Sequence, residues 1–418
     1  MEQIFNQRRA ISPGLQIKMT TRQAILFYCQ HSLGMGHLVR SLALAESLAD
    51  RFRVMLLNGG RMPKGVVIPA GVQVINLPPL GIDETNQLVS HDKRISVERA
   101  LDRRKKMIRT CFDNLHPAVI LLELFPFGRK KFAGELRPLL EVAHANETRS
   151  LIVCSLRDIL VSQRVNQQKY DDRAAMLANQ FLDLVLVHSD PSFAHFDESF
   201  RPTIPLKVPV VHTGFVVRRS APSAKVEKTR KRIVVSAGGG IVGEPLLQMA
   251  VDALSHFQND PQVEMKIIAG PFYPEEAWDR LRAAARGKPR LSVVRHVSNL
   301  CDELRAAAVS ISQAGYNTCL DVLRAQVPAL LVPFARGSEN EQHKRALRLQ
   351  RLGAARVLNQ VDLNPADLAA AIRAAMDLEM AKPQLDLNGA ERSAQIIESL
   401  VASARQPRAI SYHIGYEN

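Results

Sequence analysis

Long hydrophobic runs, paired cysteines, aromatic side chains and D-x-D triplets are scarce or missing in this 418-residue chain. No apolar stretch reaches the roughly 18 residues that a membrane span needs, and the first residues carry no apolar secretory segment. Neither insertion nor export is therefore indicated. The five cysteines (Cys29, Cys111, Cys154, Cys301, Cys319) never stand in a C-x-x-C spacing. They suggest neither a disulfide framework nor a zinc site, and read as core thiols in a reducing cytoplasm. Aromatics make up 5% of the chain and the net charge is +14. The densest basic runs, Arg99 to Lys106 and Arg129-Lys130-Lys131, are not interleaved with the aromatics that stack bases, so nucleic acid is not an expected partner. An anionic substrate, peripheral contact with an anionic membrane, or simply solvated helix faces all stay open.

What is present is an ordinary globular composition, 46% hydrophobic and 23% charged, long enough for two cores. Residues 1–21 are polar and basic and read as a leader outside the fold. From Ala24 short apolar runs alternate with helical stretches, the mark of βαβ units and a parallel sheet. The strands expected in the first half are Ala24 to Cys29, Val54 to Asn58, Val72 to Leu77, Val119 to Leu124, Leu151 to Ser155, Leu184 to His188 and Val208 to His212. Residues 216–231 have the character of a linker. A second alternation follows, with strands at Ile233 to Ala237, Met265 to Ala269, Leu291 to Arg295, Val309 to Ser312 and Ala329 to Val332. The expectation is an α/β protein of two Rossmann-like domains, residues 22–215 and 232–390, whose parallel sheets face a central cleft, followed by a C-terminal helix and tail at 391–418.

Four loops at carboxyl ends of strands carry candidate chemistry. The first, Gly34-Met35-Gly36-His37, precedes an amphipathic helix; its glycines admit close backbone approach, and His37 could take a proton from a hydroxyl or merely cap the helix. The second, Gly238-Gly239-Gly240, belongs to a literal G-x-G-x-x-G ending at Gly243, yet no acidic ribose partner closes the next strand, which leaves a general anion cradle. The third runs Ser312-Gln313-Ala314-Gly315-Tyr316-Asn317-Thr318 to Asp321. There Asp321 is either the far member of a capping box or a carboxylate free to accept from two hydroxyls. The fourth, Pro333 to Gln342, brings Asn340, Glu341 and Gln342 to where sugar hydroxyls could be read.

The order of these motifs, with Ala314-Gly315-x-x-Thr318-x-x-Asp321 and Pro328-x-x-x-x-Pro333 to Gln342, resembles glycosyltransferase family 28, which includes the N-acetylglucosaminyltransferase of peptidoglycan synthesis. The segments HSLGMGHLVRSLALAESL and QAGYNTCLDVLRAQVPALLVPF are similar to a bacterial branch known as predicted glycosyltransferases. The resemblance implies the GT-B architecture and a nucleotide-diphosphate sugar donor, UDP-linked and GlcNAc-like. It implies that Gly238 to Gly240 and the Ser312 to Thr318 loop hold the diphosphate, Asp321 the ribose, Gln342 with its neighbours the sugar, and the backbone at His296-Val297 the uracil. It also brings a lipid-linked or cell-envelope acceptor to mind, met at the inner face of the membrane. In the peptidoglycan enzyme a Glu meets the ribose and two adjacent Gln meet the sugar; here Asp321 and Asn340-Glu341-Gln342 stand in their places.

With no D-x-D, the expected chemistry uses neither metal nor cofactor: loop amides and helix dipoles carry the leaving-group charge. Inversion with His37 as base is the leading reading, and Glu123 or Asp158, each near a strand end, would orient or replace it. The Gly34 to Arg40 run also resembles the hydrolase of pseudaminic acid synthesis, which keeps a nucleotide-sugar hydrolase as an alternative. A non-catalytic module binding a nucleotide or anionic polymer is the second alternative.

Overall fold

The computed structural model describes residues 22–31, 35–63, 65–83, 85–145, 149–219, 231–334 and 340–405. The expected leader, Gly34 and residues 220–230 of the expected linker lie outside the described residues. In the first half the strands are β1 (Ala24–Cys29), β2 (Arg53–Asn58), β3 (Val72–Asn76), β4 (Leu80–Ile82), β5 (Leu88–Ser90), β6 (Val119–Glu123), β7 (Leu151–Arg157), β8 (Leu184–His188) and β9 (Val210–His212). The second half carries β10 (Lys231–Ser236), β11 (Val263–Ile268), β12 (Leu291–Val294), β13 (Val309–Ser312), β14 (Ala329–Leu331) and β15 (Arg356–Val357). Between them run α1 (Gly36–Ala49), α2 (Val97–Leu115), α3 (Ala133–Ala145), α4 (Gln167–Phe181), α5 (Glu244–Ala253), α6 (Glu275–Ala285), α7 (Leu300–Arg305), α8 (Tyr316–Ala325), α9 (Glu341–Arg351), α10 (Pro365–Met376) and α11 (Gly389–Arg405).

The described residues build a seven-stranded sheet in the order β3-β2-β1-β6-β7-β8-β9 and a six-stranded sheet in the order β12-β11-β10-β13-β14-β15. All pairings within both sheets are parallel. Helices cover both faces of such sheets, so the central strands are buried on both sides: β1 reads AILFYC and β13 reads VSIS, and each is buried along its whole length. In each sheet the strand order reverses beside the first strand of the half, between β1 and β6 and between β10 and β13. The loops leaving strands on either side of such a reversal part from one another, and the crevice they leave is where α/β sheets bind ligands.

A small antiparallel hairpin of β4 and β5 stands outside the sheets over α2. That helix contains the basic run Arg99 to Lys106, and Arg104 within it is fully buried. Its guanidinium donates to both oxygens of Glu135 at 2.7 and 2.8 Å, to the Tyr28 hydroxyl, to Gln30 and to the carbonyls of Gly59 and Pro78. One member of this sequence-level basic patch is therefore an internal fastener, while Arg99, Arg103, Lys105 and Lys106 are exposed.

Several contacts join the halves. Helix α9 lies along the first half: Lys344 Nζ donates to Ser162 Oγ at 2.6 Å, the Arg345 guanidinium grips Asp158 through two bonds of 2.7 and 2.8 Å, and Arg348 pairs with Glu198. Tyr316 at the start of α8 donates to the His188 carbonyl at 3.1 Å and accepts from Val216 N at 3.0 Å. The chain also crosses between the halves twice, side by side. Phe215 N donates to Asp386 O at 2.7 Å, Gly389 N to Phe215 O at 3.0 Å, and Val216 forms a bridge with Asn388. Gly214 has a φ of 81°, and a Cβ there would meet the Asp386 carboxylate at 2.6 Å, so glycine is required for the approach. Beyond the second crossing, α11 returns to the first half, where Ala390, Ala394, Ile397 and Val401 pack into the same core as Leu38, Leu42 and Leu48 of α1. Val216, expected as the start of a linker, is thus buried between structured segments.

Candidate active site

Between the halves lies a cleft of about 2470 Å³. Its walls come from the loops at both strand-order reversals: Gly36, His37 and Arg40 after β1, Gly238 to Gly240 after β10, and Gly315 to Thr318 after β13. Eleven Arg and Lys residues against five Asp and Glu line it, a positive excess that draws an anion into the cleft.

On the first-half wall, His37 and Glu123 meet because β1 and β6 are neighbours and α1 starts directly above the end of β6. His37 Nδ1 lies 2.5 Å from Glu123 Oε1, which also accepts from Arg40 at 2.6 Å; the second oxygen accepts from Arg129 at 3.0 Å. Glu123 is completely buried. Burial alone would raise its pKa, but His37, Arg129 and Arg40 outweigh that and hold the carboxyl well below its usual range. For His37, burial lowers the pKa to about 3, and Arg129 and Arg40 reinforce it against the pull of Glu123. A neutral imidazole with Nδ1–H donated to a carboxylate leaves Nε2 as a proton acceptor, and His37 faces the cleft with 17% of its side chain exposed.

Asp158 does not share this work. Its carboxylate is buried and both oxygens are held by Arg345, so it is a bolt between the halves rather than a base or an orienter of His37.

On the opposite wall, Gly238 and Gly240 take φ values of 58° and 95°, and a Cβ on Gly240 would strike Ala269 O at 2.5 Å. Only glycine holds this turn. Helix α8 starts at Tyr316 with Gly315 as its cap and no capping side-chain bond. Capping-box geometry is thus absent, and its first-turn amides, which no helical carbonyl can reach, open at the cleft end of the dipole. Asp321, one turn further on, lines the cleft and makes an ion pair with Arg324 at 4.0 Å. Burial pushes its pKa up to about 6 against Arg324 and Arg218.

The other sequence candidates divide. Gln313 lines the cleft, with its amide donated to Val242 O, and so do His296, Val297, Glu341 and Gln342. Asn317 also lines it and donates to Gly36 O at 3.0 Å, so the first and third loops touch across the cleft. Ser312 and Ala314 are wholly buried and do not reach the cleft wall; they support the loop from beneath, and Ala314 O accepts from Arg345. Asn340 is not on the wall either. Glu341 accepts from Arg157 at 3.3 Å, and Gln342 Oε1 accepts from Phe334 N at 3.2 Å. Sequence reasoning missed Arg129 as a site residue and Arg157 altogether. Both are arginines beside strand ends, a signal that exists only once the strand neighbours are known. Among the described residues no cluster of three His, Cys, Asp or Glu side chains could hold a metal ion, and no helix is long and apolar enough to cross a membrane.

Residues 234–400 match the model of the glycosyltransferase family 28 C-terminal domain. Among curated relatives, the chain is 26% identical over 205 residues to a UDP-N-acetylglucosamine–N-acetylmuramyl-(pentapeptide) pyrophosphoryl-undecaprenol N-acetylglucosamine transferase of Symbiobacterium thermophilum. That alignment covers 47% of this chain and spans about half, 51%, of the relative. Among solved structures, the calicheamicin glycosyltransferase CalG4 superposes with a TM-score of 0.61 at 17% identity, over 92% of this chain and 100% of that one. MurG of Acinetobacter baumannii does so with a TM-score of 0.54 at 16% identity, over 90% and 99%. The shared fold is GT-B.

Proposed function

We propose that the chain, whose residues 234–400 match the glycosyltransferase family 28 C-terminal domain within a GT-B frame, moves a sugar from a nucleotide-diphosphate donor to an acceptor hydroxyl with inversion. The donor sits on the second half. The diphosphate lies against Gly238 to Gly240 and the first turn of α8, where amide donors and the helix dipole meet the leaving charge without a metal. Asp321 accepts from the ribose hydroxyls, and the backbone at His296-Val297 borders the base. On the first half, His37 Nε2 removes the acceptor proton while Glu123 fixes its tautomer and Arg40 and Arg129 fix Glu123. The name of the relative from Symbiobacterium supports a UDP-GlcNAc-like donor and a pyrophosphoryl-lipid acceptor.

The observation that carries this reading is the His37 imidazole, anchored on Glu123 at 2.5 Å and lining a cationic cleft opposite the glycine loop. A thermal-shift panel of UDP, dTDP and GDP with their sugars tests it, since a ligand of the native state raises the melting temperature. The expected result is a clear rise with one nucleotide. The tightest donor is then incubated with and without an envelope extract, and release of the nucleotide is followed. Release that depends on the extract supports transfer. Free sugar at catalytic rates without it makes the chain a hydrolase, and no shift with any nucleotide defeats both readings.

A further inference from the structure

Buried polar atoms are almost always matched, because an unmatched one forfeits its bonds to water and gains nothing in return. Among the described residues, three such atoms gather where α9 begins: Asn340 Oδ1, Glu341 Oε2 and Arg157 Nε have no hydrogen-bond partner. Arg157 stands at the end of β7 in the first half and Glu341 at the start of α9 in the second, and one weak bond of 3.3 Å, from Arg157 Nη1 to Glu341 Oε1, spans the cleft between them. Both side chains line the cleft, with 15% and 13% of their surface exposed, and His37 lines the same cleft. Each member of the pair therefore keeps one sequestered polar atom unused in the cleft that also holds the base.

We propose that Arg157 and Glu341 form a two-sided sugar subsite, in which the acceptor-side half contributes a specificity-determining residue to donor recognition. The inference rests on the transferase reading. Glu341 Oε2 can only accept and Arg157 Nε–H can only donate, so the matching group is one that does both: a sugar hydroxyl donating to the carboxylate while its oxygen, or that of its neighbour on the ring, accepts from the guanidinium. A phosphate would satisfy Arg157 but repel Glu341. The chemistry thus selects an uncharged ring edge carrying adjacent hydroxyls. Because the two residues sit on different halves, the subsite is complete only when the halves are closed, which ties sugar fit to the approach of His37.

Calorimetric titration of wild type, Arg157→Ala, Arg157→Lys and Glu341→Gln with a nucleoside diphosphate and with its sugar conjugate tests this, using the nucleotide that binds wild type most tightly among UDP, dTDP and GDP. The expected result is an affinity loss of about tenfold or more for the conjugate in each variant, the loss of a charge-assisted bond, with the bare diphosphate within about twofold of wild type. Unchanged affinity for the conjugate in a folded variant overturns the proposal. So does an equal loss for both ligands, which would place Arg157 on the phosphates or leave it purely in the seam. Should Arg157→Ala not fold, Arg157→Lys and Glu341→Gln decide. Wild type that binds no nucleoside diphosphate brings down the transferase reading itself, a result that no variant can imitate.

Discussion

Replacing Glu123 by Gln isolates the step on which the proposed chemistry depends. The side chain keeps its size but loses the charge that faces His37, Arg40 and Arg129 at 2.5, 2.6 and 3.0 Å. Two consequences follow, and they separate. Glu123 is fully buried, so two guanidinium groups lose their counter-charge; breaking a buried pair in this way costs about 3–5 kcal/mol. At about 2–4 °C of melting temperature per kcal/mol for a domain of about 150–250 residues, such as the half that holds Glu123, the expected fall is roughly 6–20 °C. The second consequence is a wrong tautomer. An amide offers Nδ1 a donor as readily as an acceptor, and a His37 that accepts at Nδ1 carries its proton on Nε2, where it cannot serve as a base. Donor turnover should then fall by about 10²- to 10⁴-fold, the range for loss of a positioned base, while donor affinity by calorimetry changes little. His37→Ala combined with Glu123→Gln should be no slower than His37→Ala alone, since both act through one imidazole. The reasoning is refuted if folded Glu123→Gln turns over donor within about threefold of wild type, or if the double variant is slower by the product of the two single losses.

Three further expectations can be checked independently. Since burial holds the His37 pKa down at about 3, the unfolded chain takes up that proton first as pH falls; its contribution to stability is whole above about pH 6.5 and fades toward pH 3. The acid limb of kcat/KM owed to the base should accordingly lie below pH 5, and a limb near pH 6.5 would contradict the assignment. Asp321 is the opposite case: with a folded pKa of about 6 against about 4 unfolded, its ionised form burdens the ligand-free protein above pH 6, and that burden lifts as pH drops toward 4. Asp321→Asn should then stabilise the free protein by about 1–3 kcal/mol at pH 7.5 while weakening nucleotide binding, seen as a higher melting temperature with a smaller ligand-induced rise. Asp158→Ala, which strands the buried Arg345, should cost about 3–5 kcal/mol by denaturant titration yet leave the acid limb of the rate profile where it was.

Much of the frame was legible in the chain, for a definite reason. Parallel strands covered on both faces are buried along their length and run largely apolar, so β1 (AILFYC) and β8 (LVLVH) stand in the sequence with their final boundaries, and β13 (VSIS) does so through its two β-branched residues between turns. The hairpin of β4 and β5 and the two-residue β15 escaped notice because strands so short carry no period to read. The loop after β10 was visible through its glycines, since the positive φ of Gly238 and Gly240 leaves a compositional trace. Glu123 was placed near His37 but without Arg40 and Arg129, and Asp158 was misread as a possible orienter. A carboxylate at a strand end looks the same whether it faces an imidazole or an arginine that arrives 187 residues later in the chain. A final helix was evident, too, but not where it docks; that it returns to α1 could be learned only from the fold.

The paired crossing at Phe215 and Asn388 makes the second half an insertion, bracketed at both ends by the first. A lobe hung from two adjacent strands swings as a door does on two pins: it pivots about the line between them and resists both twisting and pulling away. Any opening of the groove would thereby be confined to one arc, along which α9 and the His37 loop would meet in register on each return. The same arrangement means that cutting the chain before Gly389 would not release a clean first lobe. It would strip α11 from α1 and bare an oily face, so such a fragment is expected to aggregate where the uncut chain does not.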